Sequence, residues 1–205
     1  MTSAVRTPAV AGRFYPGRSE ELLREIREYT SPAQTARVSA IGCVAPHAGY
    51  MYSGHVAGAV YSRLQIPEHC IILCPNHTGK GAPLAIMTAT AWQTPLGEVA
   101  VSAELGSRLL RSFPALQEDS AAHRAEHAVE VQLPFLQERQ KNLHIVPIAL
   151  GTSDFDVLRG LGEALGDVIG ECEERVLIIA SSDMNHYESD AVTRVKDHKL
   201  SLIHI

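Results

Sequence analysis

The sequence predicts a single α/β domain, a three-layer α/β/α sandwich around a mostly parallel or mixed central sheet. Three observations carry that prediction. The runs VSAIGCVAP, CIILCPNH, LHIVPIALG and VLIIASSD are nearly continuous in apolar residues, as strands covered on both faces are. Segments with helical spacing of apolar residues separate them, the alternation expected when helices pack on both sides of a sheet. The chain has 205 residues, 45% hydrophobic and 20% charged, which suits one domain with a substantial core and argues against disorder.

Taken in order, the elements follow from local chemistry. Ser19 is a candidate N-cap for EELLREIREY, where Leu22, Leu23 and Ile26 form one stripe. After a Ser/Pro/Thr-rich loop comes the strand VSAIGCVAP, then a helix SGHVAGAVYSRL opened by Ser53. CIILCPNH is the next strand, and LAIMTATAW reads as a third, ended by the Thr94-Pro95-Leu96-Gly97 turn. VSAELGSRLLRSF is helical in pattern, and EHAVEVQLPFLQER reads as a helix bent near Pro134. LHIVPIALG leads into a helix on which Leu158, Leu161, Leu165, Val168, Ile169 and Cys172 keep helical spacing. VLIIASSD is the last buried strand, and a helix closes the chain.

Composition excludes several function classes. The formal net charge is −5 and no basic run occurs, so neither nucleic acid nor an anionic membrane surface is an expected partner. No apolar stretch reaches the roughly 18 residues that span a bilayer. MTSAVRTPAVAGRFYPG lacks the apolar core of a secretion signal, so a cytoplasmic location is expected. Cys43, Cys70, Cys74 and Cys172 form no CxxC or disulfide-like pattern and read as buried small hydrophobes. Cys70 and Cys74 share a strand face about 13 Å apart, too far for one metal ion.

The unusual residues fall where the apolar strands end. These ends read Pro46-His47-Ala48-Gly49-Tyr50, Pro75-Asn76-His77-Thr78-Gly79 and Ser181-Ser182-Asp183-Met184-Asn185-His186-Tyr187. In an open α/β sheet the carboxyl ends of parallel strands share one edge, where ligands bind. If the three strands are neighbours, His47, His77, Asp183 and His186 meet in one crevice, with Gly49, Gly54 and Gly79 allowing close backbone approach. A histidine after a strand is ordinarily just a hydrogen-bonded loop residue; three such ends together outweigh that reading. His123 and His127, four apart, would share a helical face, but HExxH is absent, and the reading preferred here turns His127 alone into the crevice, with Glu126 or Glu130 orienting it. His55, His69, His144, His198 and His204 have no such context and read as surface or packing residues. Ser181 and Ser182 lack the GxSxG setting of a serine hydrolase.

In chain order, PAVAGRFYP, APHAGYMYSG, LCPNHTG, TPLGEV, EHAVEVQLPFLQ, VPIALG and IIASSDMNHY resemble the Memo (mediator of cell motility) family, from about Pro8 to Tyr187. That family is structurally related to the class III extradiol ring-cleaving dioxygenases, so the resemblance implies an extradiol-dioxygenase-like fold. It places pocket histidines at His47 and His77, an aspartate and a later histidine at Asp183 and His186, and a further histidine at His127. The implied metal ligands are His47, His77 and Asp183; His186, His127 and Asp183 are the implied acid–base groups. Iron or copper is the implied cofactor, with zinc as an alternative. The family pattern continues to a cysteine-containing CGxGP-like segment that has no match here. The expectation is therefore one Memo-like domain over 1–205 that is C-terminally truncated, with core surface exposed and a third pocket ligand missing. Two functions stay open: a metal-binding protein without catalysis or of uncharacterised activity, and a dioxygenase-like oxidoreductase acting on a small aromatic substrate. A small molecule or peptide is the expected partner, and the sequence assigns no oligomeric state.

Overall fold

The computed structural model describes residues 5–31 and 36–204, the side chains of 201–204 excepted. In chain order the elements are α1 (Ser19–Thr30), β1 (Gly42–Ala45), α2 (Tyr50–Ser62), β2 (His69–Pro75), β3 (Leu84–Ile86), β4 (Trp92–Thr94), β5 (Gly97–Val101), α3 (Ala103–Ser112), β6 (Gln117–Glu118), a 3₁₀ turn (Glu130–Gln132), α4 (Leu133–Arg139), β7 (His144–Leu150), α5 (Phe155–Gly170), β8 (Val176–Ser181) and α6 (Asp190–His204). The eight strands form one sheet in the order β1-β8-β2-β7-β3-β6, with β5 joining β4 to β7. β1, β8, β2, β7 and β5 run parallel, whereas β3 is antiparallel to β7 and β4 to β5.

The three layers follow from the two-residue period of the strands. In β2, Cys70, Ile72 and Cys74 enter one apolar core with Leu22 and Ile26 of α1, Tyr61 of α2 and Phe135 of α4. Ile71 and Leu73 point the other way, into a second core with Leu105 and Leu109 of α3 and Leu161, Leu165 and Val168 of α5. Strand β7 divides in the same manner, Ile145 and Ala149 against Val146 and Ile148. Two-sided burial is why these strands read as unbroken apolar runs. The fold class expected from sequence is the one observed.

Several local boundaries differ, each for a physical reason. Helix α1 begins at Ser19 itself; Arg18 is at the N-cap and no side chain caps it. α2 begins at Tyr50, ahead of Ser53, whose hydroxyl donates to the Ala48 carbonyl. Gly54 therefore lies inside a helix, not on a ligand loop, and an added Cβ there would stand 2.6 Å from the Tyr29 ring. One turn on, a Cβ at Gly58 would stand 2.4 Å from the Tyr29 carbonyl oxygen, so both glycines serve the close approach of α1 to α2. LAIMTATAW divides into β3 and β4, and Gly97, at φ 116°, closes the β4–β5 hairpin. EHAVEVQLPFLQER is not one bent helix: 126 and 127 are irregular, 128–129 form a turn, a single 3₁₀ turn follows, and Pro134 sits in the first turn of α4, where its missing N–H costs nothing. Cys70 and Cys74 are buried, and burial pushes the Cys70 thiol up to about 12, which makes it inert packing. On the edge strand β1 and the residue before it, Val44 and Ile41 are exposed. Among the described residues no helix is long and apolar enough to cross a membrane.

Candidate metal centre

The sheet order brings the polar strand ends together. β8 lies between β1 and β2, parallel to both, with Ala45 opposite Ser181 and Leu73 opposite Ala180. The chain therefore leaves one edge three times in adjacent positions, as Pro46-His47, Ser182-Asp183 and Asn76-His77. The turn before the 3₁₀ segment adds His127. One nitrogen from each of His47, His77 and His127 lies within 4.8 Å of the others. The His77 and His127 rings are stacked with centroids 4.7 Å apart, and the His47 ring stands edge-on to both, at 5.0 and 5.5 Å.

Each ring is held from behind. Asp183 Oδ1 accepts from the backbone N–H of His47 at 2.6 Å and of Ala48 at 3.2 Å, fixing the loop that leaves β1. His47 Nδ1 lies 3.1 Å from the Ser181 hydroxyl. Glu126, fully buried, accepts the His77 N–H on Oε2 at 2.7 Å and takes His77 Nδ1 on Oε1 at 2.9 Å. The same Oε1 accepts from the backbone N–H of His127 and Ala128. One carboxylate thus ties the loop after β2 to the turn carrying His127, and it leaves Nε2 of His77 as the lone-pair nitrogen. The Phe14 ring packs on His127 at 4.8 Å.

Burial acts on two of the three rings. Burial lowers the His47 imidazole, outweighing the attraction of Asp183, and the neighbouring His77 and His127 push it the same way. His127 is lowered chiefly by burial, against the pull of Glu126. Burial would raise Glu126, but hydrogen bonds from the His77 side chain and from the Ala128 and His77 backbone prevail and hold it below its ordinary value. Three imidazole rings beside a carboxylate form a donor set suited to zinc, copper, iron or nickel. Two nitrogens about 2.0–2.1 Å from a tetrahedral metal stand roughly 3.3 Å apart, so a cluster whose nitrogens lie within 4.8 Å of one another would need to close by up to about 1.5 Å. Glu126→Gln keeps the shape but removes the ionised acceptor; it is expected to weaken zinc binding about 10- to 100-fold, checked by competition titration against a chromogenic chelator.

The turn with His127 owes its shape to a distant segment. Arg6 Nε donates to the His123 carbonyl at 3.0 Å and Nη2 to the Glu126 carbonyl at 2.7 Å, while Nη1 pairs with Glu130 Oε2 at 2.5 Å. Glu130, fully buried, also accepts the N–H groups of Ala9 and Val10 and the Tyr15 hydroxyl. His123 itself points away from the cluster, its Nε2 3.1 Å from the Ala85 carbonyl. Burial pushes its imidazole down to about 4. The unfolded chain therefore binds that proton more tightly, and stability falls as pH drops from about 6.5 to about 4, by about 3 kcal/mol from this residue. Urea unfolding across that range should show the loss, reduced in His123→Gln.

Of the residues singled out from sequence, His47, His77 and His127 form the nitrogen cluster. Asp183 borders it, with Oδ2 3.8 Å from Nε2 of His47 and 3.6 Å from Nε2 of His186. The His186 side chain is half exposed and packs beside Tyr187. His123 stays outside, and Glu126 is the orienting carboxylate, while Glu130 is spent on the N-terminal segment. His69 and His144 stack on each other, as packing residues do; the side chain of His204 lies outside those described. Sequence reading missed Arg6 as a clamp and Gln132 as a buried polar residue. The signal for Gln132 was a lone amide inside the otherwise apolar run Val131–Leu136.

The model of the family described as Memo-like protein matches residues 6–201. A MEMO1 family protein of Archaeoglobus fulgidus is 47% identical over 193 residues, 94% of this chain and 72% of that protein. One from Methanosarcina mazei is 44% identical over 90% of this chain and 68% of its own length. One from Aquifex aeolicus is 43% identical over 96% of this chain and 73% of its own length.

Proposed function

The chain belongs to the Memo-like protein family, and from that premise we propose that it binds one metal ion on His47, His77 and His127. The observation that carries this reading is the approach of three histidine nitrogens to within 4.8 Å at the carboxyl edge of a parallel sheet. Burial lowers the His47 and His127 imidazoles, and rings that hold protons weakly are the better ligands near neutral pH. Iron or copper is the proposed occupant, with zinc as the alternative, because an all-nitrogen set favours these over magnesium or calcium. His127 takes the third position that the sequence reading gave to Asp183. Asp183 then serves as the anchor of the His47 loop, with Oδ2 available to a further ligand. His186, exposed beside that carboxylate, is the group placed to exchange protons with solvent.

A metal held there would polarise a bound oxygen atom as a Lewis acid. The residues around it orient and exclude water: Phe14 packs on His127, and Glu126 fixes His77. A binding role without turnover is preferred over dioxygenase-like oxidation of a small aromatic molecule. A small molecule or peptide is the proposed partner, in the cytoplasm. Elemental analysis after loading with ferrous, cupric or zinc ion and desalting tests the reading: one ion per chain is expected, and none retained with any of the three would overturn it. Metal-dependent oxygen uptake with a catechol panel, abolished in His186→Ala, would move the reading to the enzyme.

A further inference from the structure

We propose that a buried hydrogen-bond relay, Tyr61–Gln132–Ser181, presets the tautomer of His47 so that Nε2 is free before any metal arrives. The inference rests on the metal-binding reading for its purpose, though not for its geometry. All four side chains are buried: Tyr61 and Gln132 fully, His47 and Ser181 to within 2%. Each donor and acceptor in the relay can then be assigned from the two ends inward.

Both ends are backbone carbonyls, which only accept. Gln132 Nε2 lies 3.0 Å from the Pro46 carbonyl, so that atom is the amide nitrogen and its partner is the amide oxygen. The oxygen accepts the Tyr61 hydroxyl proton at 2.8 Å, and the nitrogen's second hydrogen goes to Ser181 Oγ at 2.8 Å. Ser181 has one proton, and it lies on the Ala128 carbonyl at 2.6 Å. The hydroxyl oxygen therefore has only a lone pair to offer His47 Nδ1 at 3.1 Å, so Nδ1 carries the ring proton. The lone pair of His47 is left on Nε2. Asp183 Oδ2, at 3.8 Å from Nε2, is beyond hydrogen-bond reach and does not hold a proton there.

Ser181 is thus a positioning residue, acting through His47, and the Pro46 and Ala128 carbonyls tie the relay to the loops that carry His47 and His127. A ring held in the other tautomer would present N–H to the metal and would have to exchange its proton before binding. Second-sphere partners of this kind are worth about 10- to 100-fold in metal affinity.

Long-range ¹H–¹⁵N correlation spectra of the metal-free protein at pH 8 read the tautomer directly, with the His47 signals identified by their loss in His47→Gln. The Nδ1–H pattern is expected in the wild type. In Ser181→Ala the pattern should move to Nε2–H or a mixture, and zinc affinity should fall about 10- to 100-fold. Ser181→Thr, which keeps the hydroxyl, should retain both the Nδ1–H pattern and the affinity. An Nε2–H pattern in the wild type, needing no variant at all, would overturn the inference, as would an unchanged pattern in Ser181→Ala. A wild-type Nδ1–H pattern that shifts in Ser181→Ala, in a protein that takes up no metal, would sustain the relay and remove the metal-binding reading alone.

Discussion

Replacing His47 and His77 together by alanine is expected to abolish metal binding, with at least a 1,000-fold loss of affinity by an order-of-magnitude estimate from the ligand count. The size follows from the donor set. With three nitrogens the cluster can hold an ion while open positions are filled by water; with His127 alone it offers a single imidazole, no better than a surface histidine. The fold should survive. His47 and His77 are on loops beyond the strand ends, and neither belongs to the apolar cores. The double variant should therefore keep the wild-type circular dichroism and lose the metal, a separation that equilibrium dialysis with copper, iron and zinc would read. His123→Ala is the natural control. It removes a histidine four residues from His127 but outside the cluster, so its effect should fall on stability and leave the stoichiometry at one ion.

The largest effect on stability is expected at Glu130. Glu130→Ala leaves the Arg6 guanidinium buried without its counter-charge, which costs about 3–5 kcal/mol in comparable settings. Three further donors, the N–H groups of Ala9 and Val10 and the Tyr15 hydroxyl, lose their acceptor in the same step. Burial and the nearby carboxylate raise the Tyr15 pKa, so that hydroxyl keeps its proton and needs a partner. For a chain of this size each kcal/mol moves the melting temperature by roughly 2–4 °C, so a decrease on the order of 6–20 °C is expected by calorimetry. Arg6→Met should cost less, because Glu130 keeps three of its four donors. Its guanidinium also lies over the Trp92 ring at 4.1 Å, a contact that methionine partly replaces. Both variants should loosen the turn at 123–127 and so weaken metal binding as well, linking the N-terminal segment to a site it does not enter.

How far the sequence revealed the site depends on where each residue's partners lie. His77 and Asp183 were legible because each follows a strand buried on both faces, which leaves no other place for a polar residue; His47 was legible because it ends an apolar run, although β1 proves to be an edge strand with Val44 exposed. Their convergence needed only that β1, β8 and β2 be parallel neighbours. His127 was legible as a pocket residue but not as a third nitrogen, because EHAVEVQLPFLQ has a helical pattern of apolar residues. Arg6, more than a hundred residues away, holds the backbone of that stretch in a turn, and no local rule encodes such a clamp. Helix starts at Ser19 and Ser53 were misplaced because a serine near a helix end satisfies the capping pattern whether or not its side chain caps anything. Ser181 was weighed as a nucleophile and set aside. Its place between His47, Gln132 and the Ala128 carbonyl is set by strand register and by a loop, not by its neighbours in sequence. Gly54 was read as a ligand-loop glycine, and its contact with Tyr29 shows it to be a helix-packing residue.

Anomalous diffraction from crystals soaked in a zinc or copper salt would test the central assignment most directly. A single strong peak bonded to Nε2 of His47, Nε2 of His77 and a ring nitrogen of His127, at about 2.0–2.1 Å for zinc, is the predicted result. No peak between those three rings, or a peak bonded to other side chains with the three histidines left apart, would contradict it.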